Sequence, residues 1–214
     1  MLTYNAPRYV LKSITEIKKT KGIDYELIVV DNNSGRKTKF LLRLLQLFGF
    51  IDKLHFNKEN ALFAKGNNIA SKFASDDVTH YCLINSDISI KDPLWLSLLT
   101  SLYPQSGGIC AYGVCLDEPV RADGYCMLID RGLYDKYQLD EDFQWWWSIT
   151  KLQSEILQEG YQIVAVKNHE KVLHHFGGAS GKGYINAKGM DINIDEVKKW
   201  FALKKSEVIL IDSL

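Results

Sequence analysis

Residues 25–31, YELIVVD, run consecutively through apolar and β-branched side chains to Asp31 and then break into the turn cluster Asn32-Asn33-Ser34-Gly35. A run that is apolar on successive positions needs cover on both faces, which a parallel strand between two helical layers receives. A parallel strand also needs a crossover, usually a helix, to reach its neighbour. Helical signals lie on both sides of this run. Pro7 with Val10, Ile14 and Ile17, spaced four and three, predicts a helix starting near residue 7. The leucine-rich stretch 37–47 predicts a second helix, 54–56 a short strand, and 61–74 a third helix with Gly66 near its start. A strand over 80–85, a helix beginning at Pro93 and a strand over 108–115 follow. This βαβαβ rhythm predicts an α/β sandwich around a mostly parallel sheet.

The second half changes character. Residues 116–130 mix acids with apolar side chains and show no clear period. A helix with Trp145, Ile149, Leu152 and Ile156 on one stripe runs to Gly160, and 161–166 and 172–176 predict two more short strands. Beyond the glycine-rich GGASGKG, a charged segment carries Val197, Phe201 and Leu203 on a final helix. At 214 residues the reading is one domain over 1–180 with a C-terminal extension over 181–214.

Charge narrows the function classes. The 26 Lys and Arg equal the 26 Asp and Glu, which argues against a nucleic-acid binder held by bulk phosphate neutralisation while leaving room for a local basic patch. A site for one small polyanion plus a metal ion is compatible with that balance, because its charges cancel locally. The longest uncharged apolar runs, 81–84 and 208–211, fall far short of the roughly 20 residues of a membrane span. No charged-then-apolar leader opens the sequence, so a cytoplasmic location is expected, with no span and peripheral membrane association left open. Cys82, Cys110, Cys115 and Cys126 form no CxxC pair and read as free thiols rather than a zinc site.

In open α/β sheets, ligands bind beyond the carboxyl ends of the strands. Three polar clusters fall at such ends: Thr3-Tyr4-Asn5, Asp31-Asn32-Asn33-Ser34 and Asn85-Ser86-Asp87. Turn chemistry alone accounts for 32–35. Asp87 is different, because a carboxylate leaving the apolar run CLIN in mid-domain needs a partner or a cation.

These residues carry a resemblance. MLTYNAPRYVLKSI, ELIVVDNNS, ENALFAKGNN, CLINSDISI, LDEDFQWWW and HFGGAS, in that order over roughly residues 1–180, resemble glycosyltransferase family 2, enzymes of the GT-A fold that use nucleotide-diphosphate sugars. The resemblance implies an α/β/α sandwich with a Rossmann-like nucleotide-binding half and an acceptor-side half. It implies a metal-dependent hexosyl- or other glycosyltransferase moving a sugar from a UDP, dTDP or GDP donor to a hydroxyl acceptor such as a glycan. Carried over by position, Tyr4, Asn5 and Asp31 would hold the base with Asn33 beside it, and Asn60 and Asn67 would flank the diphosphate or ribose. Asn85-Ser86-Asp87 stands at the family's DXD position, with Asp87 as the expected ligand of Mn2+ or Mg2+ and Asn85 in place of the first Asp. His175 would be the second protein ligand or a contact to the diphosphate.

Departures from the family pattern matter as much. The Glu-Asp pair that opens the acceptor-side helix, and supplies the general base in inverting members, falls on Ser148 and Ile149, neither of which accepts a proton at neutral pH. Candidate substitutes are Asp142 and Glu141 just upstream of the helix and Asp123 in ADGYC, with Glu155 about 10 Å deeper by helix rise. Asp123 and Asp142 are the expected ones, and a retaining mechanism, another base or no catalysis are the alternatives. Trp145-Trp146-Trp147 cannot all face one core on a helix, so Trp146 or Trp147 is expected to form an acceptor platform. Only Met1 and Leu2 precede Thr3, where the family's first strand carries about four or five apolar residues, so the expectation is either a late start or a shortened edge of the nucleotide site. GGASGKG fails the P-loop pattern because Lys182 stands at its second glycine, and no GxGxxG follows the second strand. The alternative reading is a catalytically weak or inactive GT-A domain that binds nucleotide sugar or glycan. Loss of the Glu-Asp pair supports it, and retention of Asp31, Asp87 and His175 opposes it.

Overall fold

The computed structural model describes residues 1–181 and 186–213. Lys182, which bears on the P-loop comparison, lies outside the described residues. The first half runs β1 (Leu2–Thr3), α1 (Pro7–Ile17), β2 (Ile28–Asp31), α2 (Arg36–Leu47), β3 (Lys53–Phe56), α3 (Leu62–Ser71), β4 (His80–Ile84), β5 (Ile88–Ile90), α4 (Trp95–Ser101) and β6 (Gly108–Tyr112). The second half runs β7 (Val114–Cys115), β8 (Arg121–Ala122), β9 (Cys126–Asp130), α5 (Arg131–Tyr137), α6 (Trp146–Gln158), β10 (Gln162–Asn168), β11 (Leu173–His175), α7 (Ile194–Trp200) and β12 (Val208–Ser213).

The strands β1-β2-β3 form one parallel sheet, and β12-β10-β6-β9-β4 form a second. A single parallel bridge, Leu2 to Asn85, joins the two. Across both, β9 alone runs against its neighbours β4 and β6. Two apolar layers cover the faces. Val10, Ile14 and Ile17 of α1, Leu42 of α2 and Trp95 and Leu99 of α4 fill one. Ala64 of α3, Leu133 of α5, Ile149, Leu152 and Ile156 of α6 and Phe201 fill the other. The expected α/β/α sandwich with a mostly parallel sheet is therefore observed. Each fully buried Leu or Ile in these layers contributes about 1.5–3 kcal/mol.

Several expectations shift for identifiable reasons. The strand expected over 25–31 begins only at Ile28, because the amide of Leu27 is taken by the Asp52 carboxylate at 2.7 Å instead of a ladder partner. The strand expected over 108–115 breaks at Gly113, whose φ of +91° leaves the extended region. Residues 126–130, for which no strand was expected, form the antiparallel strand β9 between β4 and β6. Leu203 lies beyond α7 and is 75% exposed. The C-terminal segment, read as an extension with one helix, also supplies β12, paired in parallel with β10 from Ile163–Val208 to Asn168–Ser213.

A crevice of about 730 Å3 lies between the start of β2 and the length of β4. It is lined on one side by Leu27 and Ile28, on the other by Cys82 and Leu83, and above and below by Trp95 and Ala70.

Candidate functional site

The carboxyl ends of β1, β2 and β4 open onto one cleft of about 580 Å3. Its floor is set by contacts between strand tips. After β1 the chain passes through Asn5 and Ala6, both left-handed (φ +54° and +50°), before Pro7 starts α1. The amide of Asn5 donates to Ser34 Oγ at 2.7 Å, and Asn5 Oδ1 accepts from the amide of Gly35 at 2.9 Å. The tip of β1 is thus stitched to the turn after β2.

That turn is held by Asp31. Its carboxylate, fully buried, accepts from the Ser34 amide at 2.9 Å and the Thr3 hydroxyl at 3.3 Å. Asp31 therefore does not line the cleft, and its neighbour Asn32 does. The Asn32 side chain accepts from Asn57 and donates to the Leu62 carbonyl, both at 2.8 Å. Asn33 points outward, accepting from Lys39 Nζ at 2.6 Å. Asn60 lines the cleft and accepts from the amide of Leu62, which is left-handed at φ +59°. Asn67 is buried within α3, where it donates to the Phe63 carbonyl at 2.9 Å, and it lies away from the cleft. Tyr4 and Asn5 line the cleft as expected.

The far wall carries the charged groups. Strands β5 and β11 pair antiparallel with His175 opposite Ile88, so the ladder delivers His175 beside Asp87. His175 Nε2 stands 3.3 Å from Asp87 Oδ1 and 3.4 Å from the Asn85 amide nitrogen. Burial alone would raise the Asp87 carboxyl, but pairing with His175 and the amide of Ala179 outweigh it and hold the group below its ordinary range. Ser13 of α1 clamps the loop from behind, its hydroxyl lying 2.8 Å from the Ser86 carbonyl and 2.6 Å from that of Ile88.

Asp123 faces the same cleft from the turn between β8 and β9. Burial pushes its carboxyl above its ordinary value, only partly offset by the nearby His175 and Arg121. Next to it Tyr125 stacks under the His175 ring, with centroids 4.3 Å apart and planes 20° from parallel. The Tyr125 carbonyl accepts from the amide of Asn85 at 2.8 Å, and its hydroxyl lies 2.5 Å from His169 Nε2.

The start of α6 closes the remaining side. Trp145, at φ +45°, and Trp146, 43% exposed, line the cleft, whereas Trp147 turns away beneath the Arg121 guanidinium at 5.6 Å. Where the family places its Glu-Asp pair, Ile149 contributes an apolar wall and the Ser148 hydroxyl is turned back to the Trp145 carbonyl at 2.8 Å. Asp142 is exposed, ion-paired with Lys188 and outside the cleft. Glu141 is exposed and accepts from Asn68 at 3.1 Å. Gln144, just before α6, caps the first turn of α3 by accepting from the amides of Phe63 and Ala64 at 3.1 Å each. This side chain ties the two halves of the cleft together.

Among the described residues, no group of three or more His, Cys, Asp and Glu side chains converges as a metal cage. The donor set is one carboxylate and one imidazole, Asp87 and His175, with open space in front of them.

The sequence profile of glycosyl transferase family 2 matches residues 1–117, more than half the chain. The chain belongs to glycosyl transferase family 2. No curated protein matches it significantly. Among solved structures it is similar to the mannosyltransferase PcManGT from Pyrobaculum calidifontis in complex with GDP-Man and Mn2+, with a TM-score of 0.66 and 17% identity over 78% of this chain and 53% of that one. It is also similar to S. aureus TarS, with a TM-score of 0.61 and 13% identity over 78% of this chain and 34% of that one. For GalNAc-T7 with UDP, GalNAc and Mn2+, the TM-score is 0.58 with 11% identity, over 94% of this chain and 49% of that one. The chain thus spans about half or less of the length of each. At these identities the likeness establishes the shared GT-A fold.

Tyr125, Trp145 and Asn32 were not singled out from the family 2 motifs. Each had a legible signal: Asn32 in the polar cluster that ends β2, Trp145 in the tryptophan triple, and Tyr125 two residues after Asp123 in ADGYC.

Proposed function

We propose that this chain is a metal-dependent glycosyltransferase that moves a sugar from a nucleotide-diphosphate donor to a hydroxyl acceptor, with Asp123 as its general base. The observation that carries this reading is the convergence of Asp87, His175 and Asp123 on one cleft whose opposite end is built from strand tips. Tyr4, Asn5, Asn32 and Asn60 offer a neutral, polar surface suited to a base and ribose. Asp31 supports that end by holding the turn, and Asn33 points outward to Lys39. Asn67 supports it only through α3.

Asp87 and His175 would hold a divalent ion, Mn2+ more than Mg2+ because of the imidazole. Such an ion supplies positive charge against the departing diphosphate. PcManGT and GalNAc-T7, the similar structures solved with Mn2+, support this. The acceptor hydroxyl gives its proton to the Asp123 carboxylate as its oxygen bonds to the sugar C1. The C1–O bond to the diphosphate breaks, and the nucleoside diphosphate leaves with the bonding pair. A carboxyl raised toward neutrality is the stronger base, and within the first turn of α6 no carboxylate competes for the role. The exposed face of Trp146 suits stacking against a sugar acceptor.

The test is a panel of UDP, GDP and dTDP sugars with Mn2+, read as release of nucleoside diphosphate, together with Asp123→Asn. Turnover with at least one donor, reduced about 100-fold or more in the variant while donor affinity stays near wild type, is expected. A fully active Asp123→Asn would remove the base assignment. Metal-dependent donor binding without release from any donor would favour the binding-module reading, which the placement of Ser148 and Ile149 supports.

A further inference from the structure

Among the described residues, the solvent face of α2 is unlike that of any other helix. Phe40, Leu47 and Phe48 are 63, 77 and 72% exposed, with Leu44 half-buried between them. At about 100° per residue, Arg36, Leu47, Phe40, Leu44, Lys37 and Phe48 fall within one sector roughly 120° wide. The buried side chains Thr38, Leu42 and Leu45 lie opposite. Single exposed apolar residues are ordinary, but three large ones on one convex stripe, with half-buried Leu44 between them, are not.

Charge identifies what this stripe meets. Between Asp31 and Asp52 there is no acidic residue, while Arg36, Lys37, Lys39 and Arg43 all lie on α2. Large apolar side chains protruding from a convex helix, flanked by cations and free of acids, are the pattern of an interfacial helix lying on an anionic bilayer. A contact with a second copy through this face would bring together two helices that each carry four cations and no acid, which opposes that occupant.

We propose that α2 docks the protein on the surface of an anionic membrane, its Phe40, Leu47 and Phe48 side chains entering the headgroup region and its basic residues meeting lipid phosphates. This surface lies apart from the residues assigned to transfer, so the inference stands whether or not the chain is an active transferase. Its N-terminal end adjoins the cleft through the Gly35 amide bound to Asn5, so docking leaves that side of the cleft near the bilayer.

The test is co-sedimentation of the full chain with phosphatidylcholine vesicles containing no or about 30% phosphatidylglycerol. Binding to the anionic vesicles alone, weakened by raised salt, is expected. The triple variant Phe40→Ser/Leu47→Ser/Phe48→Ser and, separately, Arg36→Gln/Lys37→Gln should each reduce the partition coefficient at least tenfold. Because these side chains are exposed, melting temperature and helical content should stay at wild-type values. Equal partition of wild type and the triple variant, or no preference for anionic vesicles, would overturn the proposal. So would a wild-type dimer in solution that the triple variant dissociates, since a second copy would then be what covers the stripe.

Discussion

Replacing Tyr125 by Phe removes one hydroxyl and leaves the ring under His175 in place. The stack of Tyr125 on His175 and the buried contact of Tyr125 with His169 form one continuous support for the metal-binding wall. His169 Nδ1 faces only carbonyls, those of Val166 at 3.1 Å and Lys167 at 2.7 Å, so that nitrogen carries the proton. Nε2 must then accept, and the Tyr125 hydroxyl donates to it. Burial drives the phenol far above its ordinary pKa, so it keeps its proton for this bond. Tyr125 is 9% exposed and His169 7%, so no solvent stands in for the lost donor. An orphaned buried acceptor costs about 1–3 kcal/mol. For a chain of this size that converts to a fall in Tm of about 2–12 °C. The assay is calorimetry on wild type, Tyr125→Phe, His169→Leu and the double variant. Each single change strands one half of the hydrogen bond and the double change removes both. The double variant should therefore be less destabilised than the sum of the singles by about 1 kcal/mol or more. Additivity within about 0.5 kcal/mol would refute the hydrogen bond and the support built on it.

Two further predictions concern the same wall. Asp87 and Asp123 should give opposite pH dependences in metal-free protein. The lowered Asp87 carboxyl adds stability above the ordinary value of 3.8 and loses it as pH falls through its depressed value, so Asp87→Asn should flatten the acid limb. The raised Asp123 carboxyl does the reverse, costing stability as pH rises through 3.8 toward its elevated value, so Asp123→Asn should melt higher than wild type at neutral pH. A lower Tm for Asp123→Asn there would contradict the assigned burial. Gly113→Ala should lower stability by at least about 2 kcal/mol, from left-handed strain and overpacking together. The added Cβ would lie 2.5 Å from Tyr125 Oη and 2.9 Å from Asp123 Cβ, at φ +91°. A variant melting within a degree or so of wild type would show that neither term acts.

Much of the first half was legible before any coordinates. Helix α1 begins at the expected Pro7, and α2 and β3 fall within a residue of where leucine spacing and apolar runs put them. These elements are local: a helix stripe or a doubly covered strand writes its own periodicity. The antiparallel strand β9 was not legible, because CMLID is too short and too mixed to be told from a loop. It becomes a strand only because β4 and β6 flank it on both sides. The edge strand β12 was visible as an apolar run, 208–211, but nothing local showed that β10 would accept it as a neighbour.

The site divides along the same line. The order of the polar strand tips and the DXD-like position of Asp87 are properties of the linear chain, and they were sufficient to point to the family. Which polar residue of a cluster meets the ligand was decided by packing. Asp31 turns inward because Thr3 and the Ser34 amide hold its carboxylate, leaving Asn32 on the cleft wall. Asp123 and Asp142 were equal candidates in sequence, and only the fold separates them. One is carried into the cleft by the turn before β9, and the other lies outside it, exposed and paired with Lys188. Sequence determines which side chains are available and on which element each sits, because those depend on neighbours a few residues away. The pairing of His175 with Asp87 and its stacking on Tyr125 depend on ladder register and on contacts between distant segments, which only the folded chain sets.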